Sequence, residues 1–225
     1  VMLGGYACFW LFHYFKIDPY LSLPAVMLVM FLVGVVLYRV LFSRLLHLPH
    51  GLRLNNSMLV SFGVVWILEN LSTWLWTSDV RSVTTSYTGE VFRFFGVRLG
   101  ITGLAGTALA VLFIVALHLL LTRTYFGKAV RATTQDAEAA ALSGIDVHRT
   151  FLISFGISMA LAGVAGVVIL TSYAITPGGG IGWLLIAMVV VVLAGEGNIN
   201  GVLPAGLFLG LVEAVSVFVT GASYR

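Results

Sequence analysis

The sequence predicts an all-α fold, a polytopic bundle of transmembrane helices with interrupted helices in its last third. Of the 225 residues, 60% are hydrophobic and only 9% are charged, whereas soluble domains carry roughly 25% charged residues. The mean hydropathy of the chain is +1.04. Several apolar runs reach the ~20 residues that a helix needs to cross a bilayer, and they lack the period-two alternation of barrel strands. These observations together indicate an integral membrane protein.

The apolar runs divide the chain into successive predicted spans. The first run, residues 1–15, ends at a turn that contains Lys16 and Pro19. Complete spans are predicted at about 21–42, 56–76, 99–121, 150–173 and 202–220. Because the chain opens and closes within such runs, we expect residues 1–225 to form a single transmembrane domain that is truncated at both ends.

Two glycine-rich breaks set the last third apart. Residues 176–182 (TPGGGIG) and 195–201 (GEGNING) flank an apolar stretch, 183–194, that is too short at ~1.5 Å per residue to cross ~30 Å of hydrocarbon. Interrupted segments occur at membrane depth where they face protein or a water-filled cavity. Gly195, Gly197 and Asn198 are therefore candidate residues of a substrate pathway. A tight loop between two ordinary helices is the alternative.

The longest polar interruption of the sequence is residues 124–149. Its middle predicts a short helix over 137–142, with Asp136 as the N-cap and Gly144 in the left-handed conformation that ends helices. So short a helix does not hold its structure alone in water and needs a surface on which to dock. We therefore predict that this loop is an interface.

The distribution of Lys and Arg indicates on which side of the membrane this loop lies. With alternating crossings, seven basic residues share the side of the loop and five lie on the other side. The seven are Arg39, Arg44, Arg53, Arg123, Lys128, Arg131 and Arg149, and the five are Lys16, Arg81, Arg93, Arg98 and Arg225. Cytoplasmic loops carry the excess of positive charge, so the loop is predicted to be cytoplasmic. The Lys and Arg residues are scattered along the chain and its net charge is only +3, and both observations argue against nucleic-acid binding.

The sequence contains no catalytic constellation, no metal-ligand spacing and no P-loop for ATP hydrolysis. We therefore expect no enzyme activity, metal or cofactor. Two carboxylates, Glu69 and Glu213, lie within hydrophobic spans, where the most polar residues cost at least ~2.5 kcal/mol and mark a pathway or a partner. Glu213 is the better candidate because it follows the second break. A hydrogen-bonded role in helix packing is the alternative for both.

Small residues at four-residue spacing predict which helices pack inside the bundle. Ser158, Ala162 and Gly166 form one such stripe, and a second stripe runs through the last span. The second stripe consists of Gly206, Gly210 and Ala214. Membrane helices approach closely at such faces, so both helices are predicted to be interior.

Six short motifs follow one another in an order typical of one family. They are GKAVRA (127–132), QDAEAA (135–140), SGID (143–146), LAGVAG (161–166), VVLAGEGN (191–198) and GLFLGLVE (206–213). This order resembles the bacterial ABC-importer permeases for branched-chain amino acids, most closely the LivH-type subunit. The resemblance implies that residues 124–149 form a cytoplasmic coupling loop that docks on a separate ATPase subunit. The coupling residues it implies are Gly127, Arg131, Ala132, Asp136, Ala139, Ala140, Gly144 and Ile145.

The resemblance also implies the other partners and the location. A second permease subunit, identical or related, would complete the pore, and a periplasmic or lipid-anchored binding protein would deliver the solute. The chain would be a multi-pass protein of the bacterial inner membrane, surrounded by lipid. Ala194 replaces one glycine of the family's G-G pair, and Glu196 and Asn198 stand where small neutral residues are usual. Import of urea, short amides or another small polar solute is therefore an alternative, as are a secondary transporter, a channel and a membrane scaffold.

Overall fold

The computed structural model describes residues 1–43, 50–77, 79–83, 91–94, 97–195 and 197–220. Helices dominate these residues, and the only paired strands among them form one hairpin. The helices are α1 (Met2–Phe15), α2 (Leu23–Leu37, continued by a π-helical turn Tyr38–Phe42), α3 (His50–Trp76), α4 (Ile101–Arg123), α5 (Tyr125–Gln135), α6 (Ala137–Leu142), α7 (Val147–Ser172), α8 (Gly180–Ala194, preceded by a 3-10 turn Pro177–Gly179) and α9 (Ile199–Thr220).

Six helical segments are long and apolar enough to cross a membrane. They are Leu23–Phe42, Asn55–Trp76, Ile101–Arg123, Val147–Ser172, Pro177–Ala194 and Ile199–Phe218. These segments confirm the predicted all-α, polytopic fold. The predicted basic loop at 43–55 is shorter than expected because α3 already begins at His50, and residues 44–49 of that loop lie outside the described residues.

The densest packing joins α1, α2 and α7 through glycines. A Cβ atom on Gly4 of α1 would lie 2.5 Å from the Cα atom of Gly163 in α7, and one on Gly34 of α2 would lie 2.8 Å from the Cβ atom of Met159. Without side chains at these positions, the helix backbones approach closely enough for van der Waals contact along their length. We call α1, α2 and α7 the glycine-packed unit.

The small-residue stripe predicted for α7 is only partly its packed face. Gly166 is buried against Val1 and Gly5, but Ala162 is half-buried and Ser158 is exposed. The packed face instead runs through Gly156, Ala160, Gly163, Val167 and Leu170. The prediction that α7 is an interior helix is therefore confirmed with a different set of contacts.

The corresponding prediction for α9 is wrong within the described chain. Nothing lies within 4 Å of a Cβ atom built on Gly206 or Gly210, and Ala214 is exposed. The physical reason is that small residues permit another helix to approach but do not supply that helix. In this chain the stripe of α9 remains open.

The last third also differs from the prediction at its first break. The helix resumes at Pro177, so the span Pro177–Ala194 has 18 residues, which lies within the range of roughly 17–25 residues found for helices that cross a bilayer. The prediction that this segment is too short to cross is wrong, because the glycines at 178–182 are incorporated into the helical turns. The second break is a short turn between α8 and α9, two helices that pack on each other. The interruption therefore lies between two complete spans.

One end of the bundle carries residues 124–149, and we call it the loop end. The opposite, far end is closed by Arg81, whose backbone N–H donates to the Ile175 carbonyl at 3.0 Å and whose carbonyl accepts from the Ile175 N–H at 2.8 Å. Its guanidinium donates to the Trp76 carbonyl at 3.0 Å and lies 5.1 Å from the ring centroid of Phe9. Arg81 thus ties the end of α3 to α1 and to the α7–α8 connection, an arrangement that we call the Arg81 clasp.

A short β-hairpin lies in the polar connection predicted between α3 and α4. Val91–Phe94 pairs antiparallel with Val97–Gly100, with Val91 opposite Gly100 and Phe94 opposite Val97. The alternation of Val, Phe and Leu with Arg in these strands is compatible with a hairpin, but the surrounding charges masked this signal in the sequence. A two-stranded hairpin does not change the all-α class of the fold.

Candidate functional site

The loop end contains α6, a two-turn helix whose caps match the sequence prediction. The Asp136 carboxylate accepts from the backbone N–H groups of Glu138 at 2.9 Å and of Ala139 at 3.0 Å. At the other end Gly144 adopts φ 83°. The Ile145 N–H donates to the Ala140 carbonyl at 3.1 Å, which completes a Schellman C-cap. The two caps satisfy backbone groups that would otherwise fray so short a helix.

One face of α6 packs on the chain and the other is open. Ala140 is buried with 4% of its surface exposed, and α6 contacts both α5 and α7. On the opposite side Leu142 has 91% of its surface exposed, beside exposed Glu138 and Ala139. We call Glu138, Ala139 and Leu142 the α6 knob. Sequence reasoning missed Leu142, although a large apolar residue at the end of a polar helix was a usable signal.

The predicted coupling residues divide into two groups. Gly127 and Ala140 are buried within the chain, and Ala132 and Ile145 are half-buried. Arg131, Asp136, Ala139 and Gly144 are exposed. The residues of the first group therefore pack inside the chain and hold the loop in place. The second group includes the residues that a partner can reach.

Sequence reasoning also missed α5, the helix that carries three of the eight predicted coupling residues, Gly127, Arg131 and Ala132. Thr124 caps it by accepting from the Gly127 N–H at 3.1 Å. The Arg131 guanidinium donates to the Leu121 carbonyl at the end of α4 at 2.5 Å. Gly127 packs directly on the backbone of Leu121. Arg131 therefore holds α5 against α4, which is an intramolecular role that the sequence did not predict.

Three of the predicted pathway residues lie together in the turn between α8 and α9, and the fourth, Glu213, lies further along α9. Gly195 and Gly197 occupy the turn between α8 and α9 with φ 82° and φ 79°. The Asn198 side chain accepts from the Gly201 N–H at 3.3 Å at the start of α9. Glu213 is exposed on α9, and Glu196 lies outside the described residues. The turn residues thus have clear conformational roles at the end of two spans.

Glu69, which the sequence ranked lower, contacts the turn that precedes α8. A Cβ atom on Gly178 would lie 3.2 Å from Oε1 of Glu69, so the carboxylate rests on the 3-10 turn that precedes α8. One turn further along α3, Ser72 is buried with 4% exposure. Trp76 follows on the same face and stacks on Tyr6 of α1 at 4.7 Å between ring centroids. Glu69, Ser72 and Trp76 therefore form an inward polar and aromatic face of α3.

The described residues contain no group of three or more His, Cys, Asp or Glu side chains that could hold a metal ion. A groove of mixed polarity lies between α4 and α7 near the far end. Its lining is Gly100, Thr102, Gly103, Gly106, Thr107, Ala110, Val168, Ser172 and Tyr173. Small side chains and hydroxyl groups on two facing spans therefore line this groove.

The family and an individual protein that this chain resembles carry similar descriptions. Residues 1–225 match the family described as "Branched-chain amino acid transport system / permease component". A protein of Methanocaldococcus jannaschii described as "Probable branched-chain amino acid transport permease protein LivH" is 28% identical over 235 residues, which cover 99% of this chain and 71% of that protein. No solved structure matches the chain.

Two further relatives match over shorter segments. The high-affinity branched-chain amino acid permease protein LivH of Escherichia coli is 36% identical over 126 residues, or 53% of this chain and 41% of that protein. The fructose import permease protein FrcC of Rhizobium meliloti is 29% identical over 165 residues, or 68% of this chain and 46% of that protein. These relatives are permease subunits of transporters rather than enzymes.

The six apolar spans and the permease relatives make this chain a multi-pass protein of the inner membrane. The family match runs from residue 1 to residue 225 and so includes the motifs of residues 124–149 and of the last third. The chain therefore belongs to the family of permease components of branched-chain amino acid transport systems.

Proposed function

We propose that this chain is the membrane-spanning permease subunit of an ATP-driven importer for branched-chain amino acids. The observation that carries the coupling role is the α6 knob, a doubly capped short helix with Leu142 91% exposed. The sequence contains no P-loop, so ATP binding and hydrolysis belong to a separate ATPase subunit. Family membership supports the transport role and the class of solute.

The α6 knob fits a partner groove for a physical reason. A large apolar side chain in water loses the ~1.5–3 kcal/mol that burial provides, and Leu142 can regain it by inserting between helices or strands of a partner. The neighbouring Glu138 and Ala139 are small or polar enough to border such a groove. The loop end is also the more basic end of the chain, which supports a cytoplasmic position beneath the bilayer.

The contacts of α5 and α6 provide a route for movement. When the ATPase subunits close on ATP, a displacement of α6 is carried to α7 through buried Ala140 and through Asp146 at the start of α7. The contacts of Gly127 and Arg131 with Leu121 transmit the same displacement from α5 to the last turn of α4. Rigid helices moved together in this way alternate the access of a central path between the two sides of the membrane.

Two more partners complete the proposed transporter. A second permease subunit, either a copy of this chain or a related one, forms the other half of the pore. A periplasmic or lipid-anchored binding protein delivers the amino acid to the far end. The similarity to a fructose import permease supports a second candidate function, import of another small polar solute on the same scaffold.

The coupling role is tested by changing the exposed apolar side chain of the α6 knob. In the full transporter reconstituted in liposomes, Leu142→Asp is expected to reduce ATP-driven leucine uptake by about tenfold or more, as loss of a coupling contact does. Leu21→Asp, the same change at a 75% exposed leucine in the turn before α2, is expected to retain uptake. Normal uptake by the Leu142 variant would contradict docking through α6.

The energy source is tested with the purified chain alone. Liposomes that contain only this subunit are expected to show no leucine accumulation with or without an ion gradient. Accumulation driven by a gradient in the absence of the ATPase subunits would instead identify a secondary transporter.

A further inference from the structure

An apolar groove lies among three of the long helices, α2, α4 and α7. Its eleven lining residues are all apolar and come from these three helices. Leu28 and Phe31 line it from α2, and Ala116 and Leu120 line it from α4. Since each of the three helices belongs to a segment long and apolar enough to cross a membrane, we expect the groove to face hydrocarbon rather than water. A group that occupies it must therefore be apolar.

The groove extends from the middle of the spans toward the loop end. A Cβ atom on Gly156 would lie 2.6 Å from Cε2 of Phe31, so these two residues lie at the same depth. Gly156 is nine residues from the start of α7 at Val147, or ~14 Å at ~1.5 Å per residue, which is about half of the ~30 Å hydrocarbon layer. Leu120 lies only three residues before the loop-side end of α4. One end of the groove is therefore close to the loop-side surface of the membrane.

The size of the groove indicates what shape of molecule fits it. Its volume of about 520 Å³ lies within the range of roughly 300–1,000 Å³ that is usual for small-molecule sites. A helix ~10 Å across, with a rise of ~1.5 Å per residue, fills roughly 120 Å³ per residue, so the groove holds only about one helical turn. If it were empty, the side chains that line it would lose their contacts on one side. A thin hydrocarbon chain is thus a better occupant than another helix.

Two arginines lie at the loop-side ends of the helices that form the sides of the groove. Arg39 is in the π-helical turn that ends α2, and Arg123 is the last residue of α4. Both side chains are exposed. Tyr38 lies 5.4 Å from His148 between ring centroids, which places the end of α2 beside the start of α7. Long basic side chains near the ends of spans reach the headgroups, and basic sites between spans bind anionic headgroups.

We propose that this groove binds one acyl chain of an anionic phospholipid from the loop-side leaflet, and that Arg39 and Arg123 bind its phosphate. The apolar groove and the two basic side chains follow one another in the order in which a lipid presents its tail and its headgroup. The bound lipid joins α4, which leads into residues 124–149, to the glycine-packed unit. This binding site goes beyond the transport role and does not depend on it.

The first test counts the lipids that the purified full chain retains in detergent. The chain is given equal amounts of dioleoylphosphatidylglycerol and dioleoylphosphatidylcholine, which have the same tails and differ in headgroup charge. Native mass spectrometry is expected to show about one bound phosphatidylglycerol per chain, preferred over phosphatidylcholine by about tenfold or more, because two basic side chains attract the anionic headgroup. Equal retention of the two lipids would overturn the inference.

The second test fills the groove from α4. Ala116→Trp places a large apolar side chain in it and is expected to reduce bound phosphatidylglycerol by about tenfold, because the tail and the indole compete for the same space. Ala108→Trp is the matched control, since Ala108 lies half a turn around α4 from Leu117, another lining residue. We expect this control to retain the lipid, and both variants to unfold within a few degrees of the wild type. Undiminished lipid binding by Ala116→Trp would show that the tail lies elsewhere.

The third test changes the charges without filling the groove. Arg39→Gln combined with Arg123→Gln is expected to bind the two lipids equally, whereas the corresponding double change to Lys keeps the charges and should keep most of the preference. An unchanged preference in the Gln variant would overturn the assignment of the headgroup site.

A different occupant would also be visible in these measurements. If the wild type forms a dimer without bound lipid, and Ala116→Trp but not Ala108→Trp separates it, a helix of a second copy occupies the groove and the inference is wrong.

Discussion

The glycine-packed unit and α9 carry similar patterns of small residues but use them differently. In α7, Gly163 and Gly166 lie against the backbones and side chains of α1 and α2. In α9, Gly206 and Gly210 have open space around them. A small-residue face therefore shows that a close approach is possible, and the fold decides whether a helix of the same chain makes it.

The largest expected effect comes from filling the tightest contact of the glycine-packed unit. Gly4→Val places a side chain against the backbone of Gly163, where a Cβ atom would lie 2.5 Å from Cα. Backbone cannot move aside as a flexible side chain can, so we expect destabilisation by ~3 kcal/mol or more. Thermal unfolding of the detergent-solubilised subunit measures this effect.

Gly210→Val on α9 is the matched control for this change. Since nothing lies within 4 Å of that position, the unfolding temperature of the isolated subunit should be unchanged. Equal destabilisation by the two substitutions would remove the distinction between the two regions.

An intermediate effect is expected at the Arg81 clasp, which links α3 to the glycine-packed unit. Arg81→Ala removes the hydrogen bond to the Trp76 carbonyl and the contacts with the rings of Phe9 and Trp10. These contacts sum to about 1–3 kcal/mol. Arg81→Lys keeps the charge but not the planar fork, and we expect it to restore only part of the loss. A variant as stable as the wild type would show that α3 is held by other contacts.

The smallest effect on global stability is expected from the cap of α6. Asp136→Ala removes the acceptor for the N–H groups of Glu138 and Ala139, a loss of ~1 kcal/mol that is confined to α6. Hydrogen exchange at these two amides should accelerate, while the amides of α7 keep their protection. Faster exchange throughout α7 would indicate that the loop and the glycine-packed unit unfold together.

The sequence predicted those features that depend on local chemistry. Spans follow from runs of apolar residues, and the caps of α6 follow from an Asp before a run of Ala and a Gly after it. The polar loop at 124–149 was located for the same reason, because a polar segment between spans is visible without knowledge of contacts.

The features that depend on neighbours could not be predicted in the same way. The inward position of Glu69 depends on the glycine turn, which is more than a hundred residues away along the chain. The first break was misjudged because glycine is compatible with a helix when the turns around it are held by packing. The hydrogen bond of Arg131 within the chain could not be predicted, because its acceptor is a carbonyl that only the fold brings near, and its contact with a partner stays a prediction.

The joint between α4 and α5 has a mechanical consequence. Because Gly127 has no side chain, the first turn of α5 lies directly on the Leu121 backbone, and Arg131 spans the same corner. These contacts fix the angle between α4 and α5 at two points. Under the proposed coupling role, we therefore expect a displacement of α5 to turn α4 with it as one rigid body rather than to bend the corner between them.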